Sequence, residues 1–228
     1  MSLSQKLDLL SALYALLERH LAPLQGACEK GCAACCTCNV SATTLEAWPL
    51  HEALKGKGET ALRQRLVDRQ WLPRYRPTTT INGWARQCLR GQDGCNDAPD
   101  PDWGPCPLLT NSACPLYPQR PLGCRVMISR QRCRAGGEAE MDPFVVTLSN
   151  IFGQVIEHLD RGGLTGNLTD LLCYLDGADQ RRAYAQGVPL APSEGLLANQ
   201  PMPALMIAPE ERQRAQPILA AINALMGA

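Results

Sequence analysis

The sequence predicts a mainly α protein, an irregular helical domain with a long cysteine- and proline-rich loop region organised around a metal centre. Three observations predict it. Aromatic residues are few (four Trp, five Tyr, two Phe) beside plentiful Ala and Leu, which favours helices packed through aliphatic stripes over a β-sandwich. Several stretches repeat apolar residues at alternating spacings of three and four, the period of one helix face. From Gly91 to about Gly137 that period vanishes, and five of the twelve cysteines fall in the stretch. At 228 residues the chain fits one domain with an embellishment. It divides into a cysteine-cluster region over 26–133 and a helical part over 142–228 expected to pack on the N-terminal helix.

The first helix is written in Leu3, Leu7, Leu10, Tyr14, Leu17 and Leu21, and Pro23 closes it. Thr43 with Glu46 three residues on is a capping-box pattern, so a second helix starts there and runs through Trp48 toward Leu54, with Pro49 disturbing its regularity. A third is expected from Glu59 to Trp71, with Leu62, Leu66 and Trp71 facing inward, before "PRYRP" breaks it. A shorter one carries Trp84 and Cys88. In the aperiodic stretch a structureless loop of such length is rare inside a compact domain. Its few apolar residues point to another organiser, a metal. Asp142 then supplies an N-cap and Pro143 the first helical position for a helix through Phe144, Leu148, Ile151, Phe152, Val155 and Leu159. The glycines after Arg161 read as its C-cap. Asn167 opens a helix with Leu168, Leu171, Leu172 and Leu175 on one side. Gly177 to Met206 reads as an extended connection, and Pro209 begins a last helix through Ile218, Ile222 and Leu225.

Twenty-two basic residues balance twenty-two acidic ones with no Lys/Arg block, so neither nucleic acid nor an anionic membrane surface is an expected partner. Lys6, Asp8, Glu18 and Arg19 interrupt any signal-peptide core, and no apolar run reaches the eighteen or so residues of a membrane span. The expected compartment is the cytoplasm, where structural disulfides are rare.

That expectation bears on "GACEKGCAACCTC", where Cys28, Cys32, Cys35, Cys36 and Cys38 fall within eleven residues. Adjacent Cys35 and Cys36 pair with each other only in a strained ring, or with two separate partners, which disfavours a disulfide staple. Cysteines acting as small hydrophobes suit isolated residues such as Cys88 or Cys173 better than a cluster. Ligation remains. Spacings of two to four residues let successive thiolates reach one ion or cluster, and a second set, Cys106, Cys114, Cys124 and Cys133, brings another segment alongside. All-thiolate sites suit both zinc and iron–sulfur clusters. The lack of two matching CxxC knuckles, with bunched cysteines plus distant ones, leans toward an iron–sulfur cluster of the 4Fe-4S kind.

Two motifs in order carry a resemblance. The first holds Cys28, Cys32, Cys35 and Cys36. The second, "CPLLTNSACPLYPQRPLGCRV", holds Cys106, Pro107, Leu108, Leu109, Cys114, Tyr117, Arg120, Pro121, Cys124 and Arg125. Together they resemble the YkgJ-type cysteine-cluster family, the CxxCxxCC domain of proposed zinc- or iron-chelating proteins, over about half of the chain. The resemblance implies metal ligation by these cysteines and brings Cys133 into the set. It gives no motif to Cys38, Cys88, Cys95 or Cys173. Arg120 and Arg125, with Tyr117 beside them, are candidates to face the charge of a thiolate centre. The alternatives are surface arginines in a proline-rich turn and a core aromatic.

No phosphate cradle, metalloprotease or hydrolase motif is present, and no catalytic residue is identified. His20, His51 and His158 read as partly exposed helical residues, and "DGCNDAPDPD" as a solvated turn. The expected function is a cytoplasmic metal-binding protein holding an iron–sulfur cluster or zinc through two segments. Alternatives are a protein-modifying enzyme, since flagellin lysine N-methylases contain a similar cysteine-cluster region, and a metal chaperone or sensor. A protein partner is left open.

Overall fold

The computed structural model describes residues 1–24, 26–29, 31–55, 59–92, 103–133 and 139–227. The described chain is mainly α, with nine α-helices and one small antiparallel sheet. Helix α1 (Leu3–Leu21) is opened by Ser2 and Gln5 in a reciprocal capping box. Helix α2 (Thr44–Ala53) has the expected box from Thr43 and Glu46, and Pro49 lies within it. Helices α3 (Glu59–Arg69) and α4 (Ile81–Leu89) follow, the latter capped by Thr80. After the short α5 (Leu122–Val126) comes α6 (Pro143–Leu159), where Asp142 caps and Pro143 takes the first turn. The chain ends with α7 (Leu168–Leu175) behind its Asn167 cap, α8 (Ala178–Ala185) and α9 (Arg212–Gly227), the last entered through a 3-10 turn at Pro209–Glu211.

Strands β1 (Ser41–Thr43), β2 (Leu164–Asn167) and β3 (Leu196–Ala198) form the sheet, with β2 in the centre. Ser41 faces Asn167, and Gly166 faces both Ala42 and Leu196. The sheet joins three distant points of the chain and sets β1 directly after the first cysteine cluster.

Two hydrophobic cores divide the interior. The first gathers α1, α5, α6 and α9 around Leu13, Leu17, Leu148, Ile151, Phe152 and Ile218. The second gathers α2, α7 and the strands around Leu50, Leu164, Leu171, Leu172 and Leu175. Buried polar groups tie the elements together. Asp160, fully enclosed, accepts from Leu45 N at 3.0 Å, Asn199 Nδ2 at 2.9 Å and the Tyr184 hydroxyl at 2.5 Å. Glu157 accepts from the amides of Asn82 and Gln200, each at 2.7 Å. Such donors offset much of the cost of enclosing a carboxyl group.

Several expectations need correction. Trp71 is 83% exposed rather than inward, because α3 stops at Arg69 and the tryptophan falls beyond its last turn. The glycines after Arg161 do more than cap α6, since the chain runs from them straight into β2. The connection from Gly177 to Met206 contains α8 and β3. His51 is buried, its Nε2 paired with Asp176 Oδ1 at 3.2 Å.

The largest correction concerns the proline-rich stretch. Its described part, 103–133, buries Leu108, Leu116, Leu122, Val126 and Ile128 and contains α5, so it carries apolar anchors of its own.

Candidate metal centre

Two turns of the same design present the first two cysteines of the second motif. In Cys106-Pro107-Leu108-Leu109 the Leu109 amide donates to the Cys106 carbonyl at 3.1 Å; in Cys114-Pro115-Leu116-Tyr117 the Tyr117 amide does so to Cys114 at 3.2 Å. Proline in second place sets the φ such a turn requires. Each turn buries its leucine in the second core, against which Cys106 and Cys114 also pack. The nearby amides of Leu108 and Leu109 favour the thiolate of Cys106, and that of Leu116 the thiolate of Cys114, against the effect of burial. Between the turns, Asn111 and Ser112 take positive φ (49° and 59°) and close a tight hairpin in which Thr110 and Ala113 exchange hydrogen bonds of 2.8 and 2.9 Å. Cys124 follows on α5, whose Leu122 amide is held by Glu46 Oε1 at 2.8 Å.

The first cluster lies beside this motif. Thr37 and Pro105 form an antiparallel bridge, with the Cys106 amide on the Cys36 carbonyl at 2.9 Å and the Cys38 amide on the Gly104 carbonyl at 3.0 Å. At its other end the Ala27 amide donates to the Ser129 carbonyl at 2.9 Å, and the Ser129 amide to the Cys28 sulfur at 3.2 Å. Glu29 and Arg132 form an ion pair across the same junction, next to Cys28 and Cys133. Gly26 permits this approach, because a Cβ there would stand 2.8 Å from the Arg130 carbonyl oxygen.

Burial pushes the Cys106 thiol up to about 11 and the Cys124 thiol up to about 12. Burial raises Cys28 and Cys114 as well. The adjacent pair splits: the Cys35 thiol donates to the Cys36 sulfur, which holds Cys36 below the ordinary thiol range and Cys35 far above it.

No disulfide joins any described cysteine. Among the described residues, no group of three or more His, Cys, Asp or Glu side chains is already arranged to hold a metal ion. The donor set nevertheless fits a soft metal: thiols from two segments, several with backbone N–H groups nearby, are the chemistry that zinc and iron–sulfur centres use. Metal binding would release the protons that burial keeps on these thiols.

Arg125 is buried, with its guanidinium 3.9 Å over the Tyr14 ring, and it donates to Glu18 and to the carbonyls of Arg120 (2.8 Å) and Pro118 (2.9 Å). Its donors are therefore engaged away from the thiols. Arg120 stacks 4.0 Å over the exposed Tyr117 ring, and its charge lowers the Cys114 thiol against the effect of burial. The Cys38 sulfur turns to Asn39 Oδ1 at 3.5 Å and the Pro73 carbonyl at 3.8 Å. Cys88 is exposed on α4 and Cys173 half-buried on α7. Cys95 lies outside the described residues. The anchoring role of Glu46 was not expected beyond its capping box; the amide it catches is 76 positions downstream, a partnership that only the fold reveals.

No protein-family model matches the chain, and no curated protein and no solved structure matches it. Among the described residues no helix is long and apolar enough to cross a membrane.

Proposed function

We propose that the protein is a cytoplasmic metal-binding protein of the YkgJ type, holding an iron–sulfur cluster or zinc through Cys28, Cys32, Cys35, Cys36, Cys106, Cys114, Cys124 and Cys133. One observation carries the reading: the bridge between Thr37 and Pro105 sets Cys36 beside Cys106, seventy positions away in sequence. Thiols of two remote segments thereby share one region, with the Ser129 amide on the Cys28 sulfur and the amides of Leu108, Leu109 and Leu116 favouring the thiolates of Cys106 and Cys114. When bound, the metal would crosslink the segments and replace thiol protons.

The test is elemental and sulfide analysis of protein purified without oxygen, with its visible spectrum. Stoichiometric iron and sulfide in a brown protein, or stoichiometric zinc in a colourless one, is expected and identifies the centre. Protein that is folded, fully reduced and free of both after supply with iron, sulfide and zinc overturns the proposal.

A second reading, a protein-modifying enzyme, is favoured by one observation. An open groove of about 430 Å³, lined in part by Ser41, Thr79, Trp84 and Glu157, borders Gly123, next to Cys124. Calorimetric titration with S-adenosylmethionine tests that reading; binding favours a methylase, and no heat removes that form of it.

A further inference from the structure

We infer that the eight thiols form two separate four-cysteine centres, one from Cys28, Cys32, Cys35 and Cys133 and the other from Cys36, Cys106, Cys114 and Cys124, parted at the peptide bond between Cys35 and Cys36. The inference rests on the metal-binding reading above and adds the number of centres and the ligands of each.

Two independent junctions define the two groups. The first joins residues 27–29 to 129–132: Ala27 pairs with Ser129, the Ser129 amide meets the Cys28 sulfur, and Glu29 pairs with Arg132. This junction brings the chain just before Cys133 to the turn holding Cys28 and Cys32. The second joins residues 36–38 to 104–106 through two backbone hydrogen bonds, Cys106 N–H to the Cys36 carbonyl and Cys38 N–H to the Gly104 carbonyl, which together make the bridge of Thr37 with Pro105. It sets Cys36 against the paired turns of Cys106 and Cys114.

The cores agree for three of the eight thiols, while Cys124 stands on α5, whose Leu122 and Val126 lie in the first core. Cys28 packs on the first core, whereas Cys106 and Cys114 pack on the second.

Electrostatic proximity agrees. Cys28 feels Cys32, Cys35 and Cys133; Cys36 feels Cys124, Cys106 and Cys114. The groups meet through Cys35, which lies against Cys36 and within reach of Cys124, and Cys38, outside both groups, lies within reach of Cys106. Four thiolates complete the ligand set of one zinc ion or one iron–sulfur cluster, so each group suffices for a centre.

The experiment is graded removal of metal from the intact protein with a chelator, alkylation of the uncovered thiols, and mass-spectrometric assignment of each label. Two steps are expected, one uncovering Cys28, Cys32, Cys35 and Cys133 together and the other Cys36, Cys106, Cys114 and Cys124. Uncovering of all eight in a single step, or in mixed sets, overturns the partition while metal binding stands. Wild-type protein without metal, all eight thiols open from the start, overturns the metal-binding reading itself. Variants give a second measure that refers only to folded protein, checked by circular dichroism. Cys32→Ser and Cys114→Ser each lose the metal of one centre and keep the other, a second substitution in the same group removes no more, and the double variant across groups loses all. A single substitution that strips all metal from folded protein shows a shared centre.

Discussion

The Glu46 side chain accepts from the Leu122 amide through Oε1 at 2.8 Å, and so ties the N-terminus of α2 to the helix that carries Cys124. The same oxygen takes the Tyr14 hydroxyl at 2.8 Å, while Oε2 takes the Thr43 amide at 2.8 Å and its hydroxyl at 3.1 Å. One buried carboxylate therefore serves a helix cap, α1 and α5 together.

Removing that carboxylate leaves several buried donors without an acceptor, each costing about 1–3 kcal/mol. Glu46→Ala is expected to lower unfolding free energy by about 3 kcal/mol or more in urea titration. Because α5 is released, alkylation of Cys124 should also speed up in the folded variant.

Asp160 gives a pH dependence. Burial raises its carboxyl to about 7, and Glu157 is raised by burial too. An unfolded aspartate titrates at about 4, so between about pH 4 and about pH 7 the folded chain holds more protons than the unfolded one. The Asp160 contribution is full below the unfolded value and is lost as pH rises through the folded one. Stability measured by urea unfolding should fall from about pH 4 to about pH 7 and level off above, and Asp160→Asn should flatten part of that slope.

Gly26 carries a steric prediction. A Cβ there meets backbone atoms of Arg130, with Cα at 2.9 Å, and no flexible side chain is available to yield. Gly26→Ala should cost about 1–3 kcal/mol, read as a lowered midpoint in thermal unfolding. Separation of residues 27–28 from Ser129 should show as faster labelling of Cys28.

Arg125 is expected to act as a structural residue. Lysine reproduces neither its fork of donors nor its position over the Tyr14 ring. Arg125→Lys should lose about 1–3 kcal/mol of stability, with metal content per folded molecule unchanged. A drop in metal content at constant folding would return Arg125 to the centre.

The helices that were legible in the sequence were those with local signals. The Thr43–Glu46 box, the Asp142-Pro143 start and the Asn167 cap each act within a few residues of chain, and α2, α6 and α7 begin where they stand. The strands were not legible, since three or four residues such as "SAT" and "LTGN" have no room for an alternating pattern and depend on partners more than a hundred positions away. Helix α8 buries Tyr184 alone, so it presents no apolar stripe to read. Cysteine identity and spacing pointed to the candidate thiols. The division proposed for them is argued from the junctions with Ser129 and Pro105, which are properties of the folded chain.

Turns such as Cys106-Pro107-Leu108-Leu109, seated by a leucine in a core, hold their sulfurs in place through the fold's own packing. The order of assembly follows. On the metal-binding proposal, folding would come first and loading second, so that the protein would be made empty, wait in that form and be filled when metal is supplied.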